Sequence, residues 1–256
     1  MPGPRPYVLA ETNWKSVKAT NYSLAVLPWG ATEAHNHHMP YGTDNYQVEH
    51  VAFRAAGQAW EKGARLLVLP VIPFGVNTGQ MDVPFCMNMM PSTQMSILKD
   101  VAEVLLAHRV KKLVILNGHG ANNFVPHIRE LAGLFPELFV CVVNWFQAAP
   151  RKDHFEEPGD HADEMESSVM MRIAPDLLLP LSEAGDGATL RYDLPGFREG
   201  WAWAQRPWTK ITKDTGSGSP YKATLEKGDG FLQATTENIA VFFHQLAIHE
   251  PDDLLR

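Results

Sequence analysis

The chain has 256 residues, of which 45% are hydrophobic and 20% charged, and its formal net charge is −7. This balance excludes a basic nucleic-acid surface, and no apolar run approaches the roughly 20 residues that span a bilayer. The Pro-rich start does not resemble a secretory signal. The two cysteines, Cys86 and Cys141, lack Cys-x-x-Cys spacing, which favours free thiols over a disulfide. We therefore expect a single cytoplasmic domain over residues 1–256.

Strands and helices alternate along the chain. Apolar runs predict strands over residues 22–27, 66–72, 111–116 and 138–145. Helical spacing predicts helices from near Asn45 to Gly63, from a cap at Ser92 to Leu105, over residues 128–134 and over residues 162–172. The irregular stretch 73–91 predicts a long loop that lines a site or packs on the sheet. This order indicates a mostly parallel sheet with helices on both faces.

The loop between the first strand and the first long helix contains two carboxylates and three histidines. Glu33 and His35 are two residues apart, so an extended backbone would direct both side chains the same way. Asp44 comes at the start of the helix, where it also complements the helix dipole. Carboxylate and imidazole ligands suit zinc, manganese or iron. Taken alone, the loop is equally compatible with solvated polar side chains.

A second polar cluster comes from two later segments. His119 directly follows a predicted strand and lies between two glycines that allow a sharp turn. His161 follows a Pro-Gly break at the entrance of a predicted helix, with Glu166 in its early turns. Each residue alone has an ordinary explanation in capping or helix-dipole interactions. Those explanations do not account for three chain segments that each bring a histidine and a carboxylate to one sheet edge.

Three segments resemble motifs of one enzyme family. Residues 30–40 with Asp44 are similar to G-S-x-E-Q-H-G-x-H-L-P followed by an aspartate, and residues 117–122 to N-G-H-G-G-N. Residues 161–167 are similar to H-A-G-E-x-E-T, and residues 218–228 show a weaker likeness. Together these motifs, in this order, resemble the creatininase (creatinine amidohydrolase) family over residues 27–228.

The resemblance implies a three-layer α/β/α sandwich with a mostly parallel central sheet and a binuclear metal centre. Glu33 and His119 would bind one divalent ion, His35 the other, and Asp44 would bridge them. Zinc is the expected metal, with manganese or iron as alternatives. His161 matches the catalytic histidine, and a metal-bridging hydroxide would attack the C–N bond of a small amide. The resemblance also implies a homo-oligomer, with a hexamer as the first expectation.

The chain departs from the family pattern at three positions. Creatininases have a metal-binding glutamate where this chain has Ala121. We expect Glu166 to fill that vacancy, so that Glu166 joins both the metal ligands and, with His161, the catalytic set. Creatinine itself is then not the expected substrate. Asn36 and His37 replace the usual residues and predict an altered pocket mouth.

The sequence predicts a hydrolase of a small cyclic amide or formamide, acting without a nucleic-acid or membrane partner. Alternatives are an enzyme that processes a peptide or biosynthetic intermediate, and a catalytically silent protein that binds a metal or ligand. The retained His161 favours an enzyme. Trp201, Trp203 and Trp208 fit a substrate wall, a subunit interface or ordinary packing.

Overall fold

Four parallel strands form the central sheet of the computed structural model, which describes residues 3–255. The strands are β1 (Leu24–Trp29), β2 (Leu66–Val68), β3 (Lys112–Asn117) and β4 (Phe139–Asn144). Their order across the sheet is β2-β1-β3-β4, so β1 and β3 occupy the centre. These two strands are fully buried, as their continuous apolar sequences predict.

Helices cover both faces of this sheet. The α-helices are α1 (Trp14–Lys18), α2 (Thr43–Glu61), α3 (Pro91–Ala107), α4 (Val125–Leu134), α5 (Glu164–Ile173), α6 (Pro195–Arg198), α7 (Trp208–Ile211) and α8 (Leu225–Ile248). Because side chains alternate along a strand, β1 contributes to two cores. Leu24 and Val26 pack with α2, α5 and α8, whereas Ala25 and Leu27 pack with α3 and α4. The predicted three-layer α/β/α sandwich is therefore confirmed.

Several element boundaries differ from those predicted. The first strand continues through Pro28 to Trp29, because parallel pairing of β1 with β3 extends to those residues. The second ends at Val68 rather than residue 72, shortly before Pro70. Helix α3 begins at Pro91, with Met90 at the N-cap position, so Ser92 is not its cap. Proline favours the first helical position because its missing N–H is not needed there.

A second, two-stranded sheet holds the segment before α5. Its strands are β5 (Gly159–His161) and β6 (Ser217–Gly218), paired antiparallel. His161 therefore ends a strand instead of opening the helix, and Asp163 caps α5 by accepting a hydrogen bond from the Glu166 N–H. Part of the Gly-Ser stretch at residues 216–220 thus forms an ordered strand.

Two further features concern the surface and the cysteines. Within residues 3–255, no helix is long and apolar enough to cross a membrane. Cys86 and Cys141 are free and half-buried, in agreement with the predicted absence of a disulfide.

Close packing of α8 on α5 generates a prediction about two glycines of α8. A Cβ at Gly228 would lie 2.0 Å from the Ser168 carbonyl oxygen, whereas one at Gly230 would meet nothing closer than 3.6 Å. We expect Gly228→Ala to lower the free energy of unfolding by about 1–3 kcal/mol or more, because the helices must separate. Gly230→Ala should be neutral or stabilising by about 0.5–1 kcal/mol, since alanine favours helix. Urea denaturation measures both, and equal effects would contradict this packing.

Candidate metal centre

The carboxyl ends of the two central strands, β1 and β3, lie next to each other. Trp29 and Asn117, the last residues of β1 and β3, are paired in register. The chain therefore leaves both strands at the same point, and Gly118 donates a backbone hydrogen bond to the Trp29 carbonyl at 2.8 Å. Ligands of open α/β sheets bind at this edge. Glu33 lies in the loop that follows β1, and His119 lies in the loop that follows β3.

One group of potential metal ligands consists of Glu33, Asp44 and His119. His119 Nδ1 lies 2.8 Å from Glu33 Oε1 and 3.0 Å from Asp44 Oδ2. All three side chains are buried. Despite these short separations, neither carboxylate oxygen accepts a hydrogen bond of acceptable geometry. Two buried oxygens and one nitrogen thus converge without satisfying one another, which is the arrangement that a shared cation resolves.

A second group consists of His35, Asp44 and Glu166. His35 Nε2 lies 3.1 Å from Asp44 Oδ1 and 3.9 Å from Glu166 Oε2. Asp44 belongs to both groups, with one oxygen directed to each. Glu166 reaches the group from the first turn of α5, where its Oε2 also accepts the Ala162 N–H. The five residues predicted as ligands are therefore brought together, and Glu166 does not point into solvent.

Backbone carbonyl groups fix which nitrogen of each imidazole faces the centre. His119 Nε2 lies 3.1 Å from the Val76 carbonyl, which leaves Nδ1 inward. His35 has the reverse arrangement, because its Nδ1 lies 3.1 Å from the Glu33 carbonyl and its Nε2 faces inward. Metal-binding histidines in proteins typically donate their other N–H to such an outer partner. Both side chains meet this requirement.

The titration behaviour of the metal-free centre follows from burial and charge. Burial opposes a charged His35, but Asp44 and Glu166 overcome it and raise its pKa to about 10. Burial likewise opposes a charged His119, yet Glu33 and Asp44 raise its pKa well above 6.5. Burial raises the pKa of Glu166 to about 8. Protons thus supply the positive charge of the metal-free centre at neutral pH.

His161 lies beside the two groups in a different environment. Its Nε2 is 2.8 Å from the Ala34 carbonyl, and its Nδ1 is 3.7 Å from Glu33 Oε1. Its ring centroid lies 4.3 Å from that of His35, with the ring planes tilted by 37°. The Trp208 ring meets it edge-on, with the centroids 5.2 Å apart. Burial lowers the pKa of His161, so the imidazole is neutral at pH 7 with a free Nδ1 lone pair.

The three tryptophans separate into two kinds. Trp208 is buried against His161, and its indole N–H donates to the Thr215 carbonyl at 3.0 Å. Trp201 and Trp203 are 75% and 83% exposed. Trp208 therefore forms part of the wall around His161, whereas the other two are available for another surface.

Asn36 and His37, the two residues expected to alter the pocket mouth, have different environments. Asn36 has a positive φ of 53°, a conformation that glycine or asparagine adopts at least cost. Its side chain is buried and hydrogen-bonded to the backbone of Gly185. Asn36 therefore joins this loop to the segment around Gly185. His37 is exposed.

Sequence reasoning missed the groups that the loop between β2 and α3 contributes. The Val76 carbonyl orients His119, and the amide of Gln80 donates to Glu33 Oε2. Cys86 Sγ lies 3.2 Å from the Ala34 backbone nitrogen. The loop was expected to line a site or pack on the sheet, and it does line this centre. Only the unusual length of the loop indicated that role, because every residue type carries a backbone carbonyl and the sequence cannot show which one faces the site.

Fold and site together define the class of protein: an α/β/α sandwich with a buried carboxylate–histidine centre at the carboxyl edge of its parallel sheet. Within that class, residues 10–243 match the Creatininase family model, described as creatinine amidohydrolase. The chain belongs to the creatininase family, whose members are hydrolases.

Several relatives resemble the chain over most of its length. A candidate creatinine amidohydrolase from Bacteroides fragilis has a crystal structure with a TM-score of 0.91 and 40% identity, covering 98% of this chain and 99% of that one. A creatinine amidohydrolase from Pseudomonas putida is 26% identical over 66% of this chain and 73% of its own length. A mycofactocin precursor peptide peptidase from Mycobacterium ulcerans is 26% identical over 85% and 83%.

Solved creatininases include a Zn–Zn form and a manganese form, with TM-scores of 0.79 and 0.78. They are 22% and 21% identical to this chain, and each comparison covers 96% of this chain and 100% of the other. At this level of identity they show a shared fold.

The charge state of the metal-free centre predicts proton release when a metal binds. Zinc ligands must be deprotonated to bind the ion. His35, His119 and Glu166 all carry protons at pH 7, because the pKa of each is raised. We expect Zn²⁺ binding to release about two or three protons, and Zn²⁺ affinity to rise with pH towards about 10, the pKa of His35. Calorimetry in buffers of different ionisation enthalpy counts the protons.

His38→Gln is the matched control, because burial lowers the pKa of this buried histidine to about 4 and it carries no proton to release. Binding without proton release, or a large effect of His38→Gln on the count, would contradict the assigned charges.

Proposed function

We propose that the protein is a metal-dependent amidohydrolase that cleaves a C–N bond of a small cyclic amide or a formamide. One observation carries the proposal: two groups of buried ligand atoms share Asp44, with one of its oxygens directed to each. A carboxylate shared in this way suits a pair of divalent ions. Family membership supports hydrolysis as the reaction type.

The residues fit such a metal pair. On this proposal Glu33, Asp44 and His119 hold the first ion, and His35, Asp44 and Glu166 hold the second. Nitrogen and oxygen ligands without thiolate suit zinc, with manganese or iron as alternatives. The unsatisfied Glu33 Oε1 and Asp44 Oδ2 support the first position. The inward position of Glu166 supports its role as substitute for the glutamate missing at Ala121.

The protein's own groups would handle the proton of the reaction. Bound divalent ions lower the pKa of a water molecule and polarise a carbonyl group. His161 is neutral, and its inward Nδ1 can accept a proton from the attacking water. The same Nδ1–H can then be donated to the departing nitrogen, which must be protonated to leave. The Ala34 carbonyl holds Nε2–H throughout and so keeps the ring in this orientation.

A peptide or biosynthetic intermediate is the second candidate substrate class. The likeness to a precursor peptide peptidase over 85% of the chain favours it. A silent metal-binding homologue is less well supported, because a neutral buried histidine beside the ligand groups has no evident use without a reaction.

The test of the proposed function is a hydrolysis screen. The zinc- or manganese-loaded protein is incubated with small lactams, formamides and short peptides, and primary amine or carboxylate release is measured. Turnover of a lactam or formamide supports the proposal. Turnover of peptides alone favours the second candidate, and no turnover of any class by the fully loaded protein favours the silent homologue.

A pair of variants separates proton transfer from metal binding. We expect His161→Ala to retain nearly all bound metal while kcat falls by about 10²–10⁴, the usual effect of losing a general acid or base. Asp44→Ala should lose metal, because one side chain serves both ligand groups. Metal content by plasma mass spectrometry and rate on any active substrate measure both.

Asp214→Ala is the matched control for Asp44→Ala. Asp214 is a buried aspartate that accepts the N–H groups of Gly187 and Gly216, outside both ligand groups. Its loss should reduce stability but not remove metal. Equal metal loss from His161→Ala and Asp44→Ala would make His161 a ligand.

We also propose a homo-oligomer, with a hexamer as the family resemblance implies. The exposed Trp201 and Trp203 supply an apolar surface suited to a subunit interface. Multi-angle light scattering at micromolar concentration should give a mass several times the 28.6 kDa of one chain. Trp203→Ser should reduce that mass, whereas Trp14→Ser, at a 78% exposed tryptophan elsewhere, should not. A wild-type monomer would refute the proposal.

A further inference from the structure

The side-chain amide of Gln80 connects Glu33 to Cys86 beneath the loop between β2 and α3. Gln80 is buried, with 5% of its surface exposed. Its Nε2 donates to Glu33 Oε2, and its Oε1 lies 3.3 Å from Cys86 Sγ. Cys86 Sγ in turn accepts the Ala34 N–H at 3.2 Å. Neither Gln80 nor Cys86 belongs to the two ligand groups described above.

The chemistry of its neighbours determines the orientation of this amide. An ionised carboxylate only accepts hydrogen bonds, so the NH₂ end of Gln80 must face Glu33. The carbonyl end then accepts from the Cys86 thiol, whose Sγ lies 3.3 Å away. A flipped amide would set oxygen against oxygen at Glu33. The link from thiol to amide to carboxylate therefore has a single direction.

This link divides the two oxygens of Glu33 between different tasks. Oε2 is occupied by Gln80, while Oε1 has no hydrogen-bond donor and lies 2.8 Å from His119 Nδ1 and 3.7 Å from His161 Nδ1. A free carboxylate can present either or both oxygens to a metal. The carboxylate of Glu33 is held so that only one of them faces the centre.

We infer that Gln80 is a positioning residue that makes Glu33 a one-oxygen ligand of the first metal. The inference rests on the proposed function, because it concerns the same metal centre. One-oxygen binding leaves a coordination position free for water or substrate, which catalytic metal sites require. Outer partners of metal ligands commonly change metal affinity by 10–100-fold when removed.

A purely structural role for Gln80 can be separated from this one. The loop is held by backbone groups of the same residue: Gln80 N–H donates to the Asn77 carbonyl at 2.9 Å, and Val83 N–H donates to the Gln80 carbonyl at 3.0 Å. Both bonds survive replacement of the side chain. A substitution at Gln80 therefore removes the amide link while the turn of the loop is retained.

The experiment compares Gln80→Leu and Gln80→Met with the full-length wild type. Zn²⁺ affinity is measured by competition with a chromophoric chelator, and Co²⁺-substituted protein is examined by visible absorption. We expect the affinity of the first site to fall about 10–100-fold, with less change at the second. The Co²⁺ bands should weaken, because a Glu33 free to bind through both oxygens raises the coordination number. Cys86, which loses its acceptor, should react faster with a thiol reagent.

Tyr41→Phe is the matched control for the same loop. The Tyr41 hydroxyl donates to the Pro84 carbonyl at 2.8 Å, so its removal loosens the loop while the Gln80 amide and the Val76 carbonyl are retained. We expect unchanged Co²⁺ bands and Zn²⁺ affinity. Circular dichroism checks that the variants fold. If Gln80→Leu is unfolded, the comparison is made with Gln80→Met, whose side chain is unbranched like that of glutamine.

The two possible failures are distinguishable. A wild type that binds no divalent ion would remove the proposed function itself. A wild type that binds two ions, together with Gln80 variants whose Zn²⁺ affinity and Co²⁺ spectrum match it, would overturn the role of Gln80 alone. The same spectral change in Tyr41→Phe would also overturn it, because loop mobility would then explain the effect.

Discussion

Three buried carboxyl groups without a lysine or arginine partner are the constraint on which this site depends. Glu33, Asp44 and Glu166 lie inside the protein, and within residues 3–255 no lysine or arginine forms an ion pair with any of them. Removing a carboxylate from water costs several kcal/mol unless a cation compensates it. Imidazoles are the available compensating groups, and they hold protons in the metal-free state. A centre of this kind therefore holds either protons or a metal ion, because its carboxylates would otherwise be buried without a compensating charge.

The fold meets this constraint by bringing separate segments to one point. The paired ends of β1 and β3 start the loops that carry Glu33 and His119. Gly118 allows α2 to lie close, since a Cβ there would be 2.8 Å from Val48 Cβ and 3.1 Å from the Asp44 carbonyl oxygen. Asp44 in the first turn of α2 can therefore reach both groups. The position of Asp44 between the two ligand groups is a consequence of helix-to-sheet packing at a glycine.

The sequence predicted the candidate metal ligands better than it predicted the groups that orient them. Alternating elements and strand-end motifs gave the sandwich and the convergence of Glu33, His35, Asp44, His119 and Glu166. The structure corrects the setting of His161, which ends β5 because residues 217–218, more than 50 positions away, pair with that segment. The carbonyl groups and the Gln80 amide that orient the ligands come from irregular backbone. Their positions depend on long-range packing and have no periodic signal.

Three histidines at this site each direct their outer nitrogen to a backbone carbonyl, but they differ in how close the nearest carboxylate lies. His35 and His119 each have a carboxylate oxygen within 3.1 Å of the inner nitrogen, so both hold positive charge strongly. His161 has its nearest one at 3.7 Å, and burial then dominates and keeps it neutral. A group that binds its proton weakly can pass it on, whereas one enclosed by carboxylates gives it up only to a metal. A difference of less than 1 Å in the distance from imidazole nitrogen to carboxylate oxygen thus distinguishes the proposed ligands from the proposed proton carrier.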